Sequence, residues 1–150
     1  MAILGVGTDI LYMPRMISLL RRHAPYRLAS HILSKSERES FITLFPTFDN
    51  QRLLSPNWTW VSTENTIKLD KDESNVVRWL SLRWVAKEAI FKAVYPHKRL
   101  AWDEVTITKI MGKPQVEFSA SVVSELAIKN THLSISHDGD YIIGVVTVEQ

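Results

Sequence analysis

Cysteine is absent from the 150 residues, which excludes a disulfide framework, a thiolate metal site and a cysteine nucleophile. Any chemistry therefore rests on oxygen, nitrogen and backbone groups. Glycine is sparse, with 5 residues, and no glycine-rich loop of the phosphate-cradling P-loop kind is present, which argues against a nucleoside triphosphatase. Long apolar runs are missing: each is broken within a few residues by Arg, Lys or Glu, so no stretch reads as a transmembrane helix. The N-terminus shows no basic leader followed by a long apolar core, and a mature soluble chain is expected. An excess of one charge is also lacking. Lys and Arg number 18 against 16 Asp and Glu, and the net +2 is too small to argue for nucleic-acid binding.

What is present is ordinary for a globular chain, with 45% hydrophobic and 23% charged residues, and the length suffices to bury one core without staples. The opening MAILGVGTDIL reads as a strand. Its side chains alternate, so Ile3, Gly5, Gly7 and Asp9 share one face and Leu4, Val6, Thr8 and Ile10 the other. The second face is expected to pack, with Thr8 and Ile10 holding the strand from behind. The glycines then clear space beside Asp9 for something that comes close.

Pro14 fits the first turn of a basic helix that stops near Pro25, with Met16, Leu19 and Leu20 as its apolar stripe. Ser34, three residues before Glu37, has capping-box spacing and opens a second helix that ends before Pro46. Residues from about 47 to 75, including Trp58 and Trp60, follow no period and read as an irregular insertion in a single domain. From Val76 a long helix runs without Gly or Pro until Pro96. Two strands around an MGKP turn, an amphipathic helix over 119–129 and a hairpin with a DGD turn complete the chain. The order predicts an α+β fold, a small and mostly antiparallel sheet packed on helices.

In the long helix Trp84, Glu88 and Lys92 are spaced four apart and share a face amid mostly apolar neighbours. A carboxylate in such surroundings is costly unless paired or bound to a cation. The plain explanation is an i,i+4 pair between Glu88 and Lys92, stabilising by a few tenths of a kcal/mol. A lone Asp9 is equally well explained as a turn or capping residue. Together, two acids on a glycine-bared strand face and a buried helix could hold a hard divalent cation. Magnesium takes one or two carboxylates, keeps waters and completes its shell with substrate phosphates. Lys92 and the cluster of His97, Lys98 and Arg99 would then be the phosphate partners, against the plainer reading of a solvated basic loop.

Consecutive Ser136, His137 and Asp138 invite a serine-hydrolase reading. Neighbouring strand residues face opposite ways, and no nucleophile-elbow pattern surrounds either serine, so adjacency builds no relay. His132, Ser134 and Ser136 share a face, either of a half-exposed strand or of a polar wall for a ligand.

Taken in order, GVGTDI with Arg15 six residues after its Asp, WVAKEAIFKA, GKP and HLSISH resemble the phosphopantetheinyl transferases of the holo-acyl-carrier-protein synthase type. The resemblance spans nearly the whole chain except about 47–75. It implies the 4′-phosphopantetheinyl transferase fold and the family's reaction: the phosphopantetheine arm of coenzyme A moves to a serine of an acyl carrier protein, for fatty acid synthesis, with release of adenosine 3′,5′-bisphosphate. By matching motif, Asp9 and Glu88 would bind magnesium with the coenzyme A pyrophosphate, and Glu88 and Lys92 would be catalytic. Lys92 would neutralise the phosphates or the leaving group. Lys92, Lys113, Pro114 and His132 would contact coenzyme A, joined by His97, Lys98 and Arg99 of the basic loop and by Ser134 of the polar strand face. Arg15, joined by Arg21 and Arg22 from the same basic helix, would meet the acidic carrier.

The carrier hydroxyl would attack the β-phosphorus, its proton passing to Glu88 or to a metal-bound water, two alternatives the sequence leaves open. The resemblance also implies a homotrimer with a shared active site. The chain's character is closer to fungal mitochondrial members, hence a mitochondrial location and otherwise a cytoplasmic one. No nucleic-acid or membrane partner is expected. The competing reading is a non-catalytic binding module whose basic first helix docks an acidic protein partner, with Asp9 and Glu88 merely structural.

Overall fold

The computed structural model describes residues 2–48, 54 and 71–150. Strand β1 (Ile3–Tyr12) runs directly into helix α1 (Met13–Arg22), whose first turn holds Pro14. Helix α2 (Pro25–Ile32) follows, an element that the sequence reading did not expect. Pro25 ends nothing there: proline suits a first helical turn, where its missing N–H has no partner to lose, and α2 buries Leu28, Ala29 and Ile32. Helix α3 (Lys35–Leu44) opens on the expected capping box, in which the Glu37 amide donates to the Ser34 hydroxyl at 3.4 Å and the Ser34 amide donates to Glu37 Oε2 at 2.9 Å.

The expected irregular insertion, with Trp58 and Trp60, lies mostly outside the described residues. Its edges depart from the expectation. Pro46–Phe48 form a 3-10 turn, and Phe48 and Leu54 are buried. Residues 71–75 belong to helix α4 (Lys71–Val94), where Asp72 and Glu73 place negative charge at the exposed N–H groups of its first turn.

Beyond α4, strands β2 (Val105–Ile110) and β3 (Lys113–Phe118) form a two-stranded ribbon. Helix α5 (Ala120–Leu126) is shorter than periodicity suggests, ending where Ala127 turns left-handed at φ 51°. Strands β4 (Asn130–Asp138) and β5 (Tyr141–Glu149) form the expected hairpin, and β1 returns from the other end of the chain to give the antiparallel order β1-β5-β4. Helix α4 packs across one face of this sheet. Among the described residues no helix is long and apolar enough to cross a membrane.

The two faces of β1 are the reverse of the expectation. Its glycine face is the packed one: a Cβ on Gly5 would overlap the Ala93 carbonyl and one on Gly7 the Ala89 carbonyl, so both glycines admit the backbone of α4. The other face is open, with Val6 60% and Ile10 62% exposed and Thr8 exposed between them. What comes close to the glycines is the helix carrying Glu88. Behind the strand lies solvent, onto which Tyr141, Ile143 and Val145 of β5 also face.

Candidate active site

The close approach of β1 and α4 decides which charged groups meet. Asp9, two residues past Gly7, reaches the last turns of α4, and Lys92 Nζ donates to Asp9 Oδ1 at 2.8 Å and to the Thr8 carbonyl at 3.0 Å. The i,i+4 pair of Glu88 with Lys92 does not form; the lysine crosses to the strand. Glu88 stands beside this contact, half-buried. Burial pushes its carboxyl up from the ordinary range, the negative Asp9 pushes in the same direction, and Lys92 opposes both. Two carboxylates thus press on each other with one ammonium against them.

That donor set suits a hard divalent cation. Carboxylate oxygens are the ligands magnesium prefers, and a cation between Asp9 and Glu88 would relieve their repulsion. Among the described residues no group of three or more His, Cys, Asp or Glu could form an all-protein cage. A cation here would complete its shell from water and substrate.

Two basic cavities flank α4. Toward its C-terminal end, one of about 460 Å³ is lined by Phe91, Lys92, Tyr95, Lys98, Arg99 and Leu100. Lys98 is tied within it, donating to Glu125 at 2.7 Å and lying 3.8 Å from Glu104. The bond to Glu125 raises its pKa. His97 is exposed just outside. A second cavity, of about 310 Å³, lies where the other half of α4 meets the β2–β3 turn and β4, and Arg78, Arg83, Lys109, Pro114 and His137 line it. Arg78 Nη2 and His137 Nε2 are 2.8 Å apart.

The structure therefore brings Pro114 to a basic cavity, with Lys113 exposed beside it, but does not bring His132 or Ser134 there. Those two lie on the opposite face of β4, where His132 is 61% exposed and 3.4 Å from Glu149. Alternation along β4 puts His137 on the cavity side instead, where it stays exposed. Arg78, Arg83, Lys109 and His137 escaped the sequence reading. The available signal was the parity of HLSISH, since Leu133 and Ile135, the apolar members that pack inward, share a face with His137.

On α1, Arg15 and Arg22 are exposed and line a cavity of about 200 Å³ with Leu11, Met16, Leu19 and Trp84. Arg21 turns elsewhere: its Nε and Nη2 are buried and have no hydrogen bond among the described residues.

Beneath the site, Lys87 is fully buried. Its ammonium donates to Glu37 Oε2 at 2.7 Å, the Ile32 carbonyl at 2.8 Å and the Trp102 carbonyl at 2.9 Å, so all three protons are placed. Burial still lowers its pKa, against the opposing pull of Glu37.

Comparison with known proteins bears on this geometry. The 4′-phosphopantetheinyl transferase superfamily matches residues 5–146. A holo-[acyl-carrier-protein] synthase of Sulfurimonas denitrificans is 40% identical over 87 residues, 54% of this chain and 72% of that protein. The mitochondrial 4′-phosphopantetheinyl transferase B of Aspergillus fumigatus is 29% identical over 154 residues, 95% of this chain and 92% of its own. Among solved structures, the holo-[acyl-carrier-protein] synthase of Neisseria meningitidis superposes with a TM-score of 0.69 at 24% identity, over 99% of this chain and 100% of that one. That of Helicobacter pylori, in complex with coenzyme A, gives 0.64 at 23% identity, over 96% and 99%. The chain belongs to the 4′-phosphopantetheinyl transferase superfamily, and its fold is the α+β arrangement the sequence predicts.

Proposed function

We propose that the protein transfers the 4′-phosphopantetheine arm of coenzyme A to a serine hydroxyl of an acyl carrier protein and releases adenosine 3′,5′-bisphosphate. The observation that carries this reading is the Asp9, Glu88 and Lys92 constellation at the crossing of β1 and α4, with a basic cavity on either side. The new bond joins the serine oxygen to the β-phosphorus, and the bond to the oxygen bridging the two phosphorus atoms breaks. Asp9 and Glu88 would hold magnesium, which when bound supplies positive charge against the pyrophosphate. Lys92, hydrogen-bonded to Asp9, meets the charge that develops on the leaving bisphosphate. The serine proton would pass to Glu88 or to water held beside it.

The cavity of Arg78, Arg83, Lys109 and His137 offers two guanidinium groups, a lysine and a histidine, and takes the adenosine 3′,5′-bisphosphate end. Arg15 and Arg22 present an exposed basic face beside Trp84 for an acidic carrier. The open sheet face supports a homotrimer: Val6, Ile10, Tyr12, Tyr141, Ile143 and Val145 make an apolar surface that a second copy would cover. The near full-length likeness to a mitochondrial relative supports a mitochondrial location.

The test is to incubate the protein with apo-carrier, coenzyme A and magnesium and weigh the carrier by mass spectrometry. A gain of one phosphopantetheine arm that disappears with chelator is expected. No gain with any of several carriers, and carrier binding unchanged in Asp9→Ala, would favour a non-catalytic docking module. Sedimentation at micromolar concentration reads the assembly, and Ile10→Asp should shift a trimer to monomer.

A further inference from the structure

The transfer leaves unused the charged cluster around Glu37, which lies against the cavity assigned to the bisphosphate. Both Glu37 oxygens are engaged. Oε2 accepts from the Ser34 amide at 2.9 Å and from Lys87 at 2.7 Å. Oε1 accepts from the Ile107 amide at 3.0 Å and stands 3.4 Å from Arg83 Nε. Ile107 and Arg83 belong to two walls of that cavity, β2 and α4. Arg83 is held at other points too: its Nη1 donates to the Trp79 carbonyl at 3.3 Å, and its guanidinium carbon lies 3.3 Å over the Trp79 ring. The contact with Glu37 is one of charge, since Arg83 Nε makes no hydrogen bond among the described residues, and Trp79 fixes the guanidinium from the other side.

Capping α3 and accepting from Ile107 already occupy both oxygens, so glutamine, with one oxygen and one NH2, could accept from only one of the two amides. The full negative charge has work at two places, Lys87 and Arg83. Lys87 explains why a charge is buried, and Arg83 explains why the second oxygen faces the cavity.

We propose that Glu37 is a positioning residue for coenzyme A: its Oε1 sets the Arg83 guanidinium and the Ile107 backbone, so that the cavity between α4 and β2 is preformed for the 3′,5′-bisphosphate. The inference rests on the reading of that cavity given above. A preformed cavity binds more tightly because the ligand does not have to order its walls.

Calorimetric titration with adenosine 3′,5′-bisphosphate, alongside steady-state transfer, tests it. Glu37→Gln alone strands the Lys87 charge, so Glu37→Gln/Lys87→Met removes both buried charges together. Glu37→Asp, in turn, keeps a charge for Lys87 while drawing the oxygens back from Arg83. In both variants the bisphosphate Kd and the coenzyme A KM should rise about tenfold, while kcat at saturating coenzyme A changes less than about twofold. Arg83→Met should weaken binding comparably, and combining it with the double variant should add little. If both Glu37 variants bind the bisphosphate as the unaltered protein does while Arg83→Met binds weakly, Glu37 merely balances Lys87 and the proposal fails. If Arg83→Met also binds normally although transfer proceeds, the cavity itself is misassigned and the proposal falls with it.

Discussion

Two carboxylate–lysine contacts lie on α4, little more than one turn apart, and they are built to opposite ends. Lys87 and Glu37 have side chains 0% and 2% exposed, and every lysine proton is placed. Lys92 and Asp9 are 52% and 16% exposed, and a second acid, Glu88, crowds them. The first contact is closed: its partners all come from this chain, and it ties α2, α3, α4 and the Trp102 segment together. The second is open on one side and carries a repulsion that nothing among the described residues relieves except Lys92. Closed pairs secure a fold, whereas an open, crowded set leaves charge for a ligand to answer.

The sharpest way to test the contrast is to neutralise one acid of the open set. Glu88→Gln keeps the shape but loses the charge, and transfer should fall on the order of a thousandfold, about 4 kcal/mol on the barrier, with the fold intact by circular dichroism. Full activity in that variant would remove Glu88 from the site. The closed pair should respond the other way. Lys87→Met leaves the Glu37 carboxylate without its main partner and should cost roughly 3 kcal/mol in urea unfolding, whereas a loss below about 1 kcal/mol would mean the network is loose. Lys92→Ala should mix the two responses. Transfer should drop on the order of a hundredfold. Stability should change by less than about 1 kcal/mol, as for other half-exposed ion pairs, and equilibrium unfolding beside the kinetics separates the two.

The same contrast explains what could be read from the sequence. Ser34 and Glu37 announce their capping box because both partners lie within one turn. The DGD turn announces its hairpin for a similar reason. The glycines rightly mark a close approach at β1, but which face of the strand is open depends on α4 seating itself on Gly5 and Gly7, a contact between distant segments. The partner of Lys92 is hidden for the same cause. Local spacing offers it Glu88, and only the packing of β1 on α4 supplies Asp9. His132 and His137 were separable by parity, since Leu133 and Ile135 mark the face that His137 shares. Lys87 was nearer to hand, since it sits on the stripe of Leu80, Ile90 and Val94, where a lysine needs a buried acid.

The smallest effect tests the crowding itself. The Glu88 pKa is raised above its unfolded value near 4.5, so its contribution favours the fold most when the group is protonated, below that value. It is lost as pH rises through the higher folded value, because the folded protein must then ionise a half-buried carboxyl next to Asp9. Glu88→Gln carries no such proton, so without divalent cation its melting temperature should gain on that of the unaltered protein as pH rises above about 4.5. Magnesium at neutral pH should reverse the comparison, raising the melting temperature of the unaltered protein and leaving Glu88→Gln where it was. Parallel melting curves for the two proteins at every pH, with and without magnesium, would show that Asp9 and Glu88 do not feel each other. The open set would then be two separate surface acids, and Lys92 an ordinary partner for one of them.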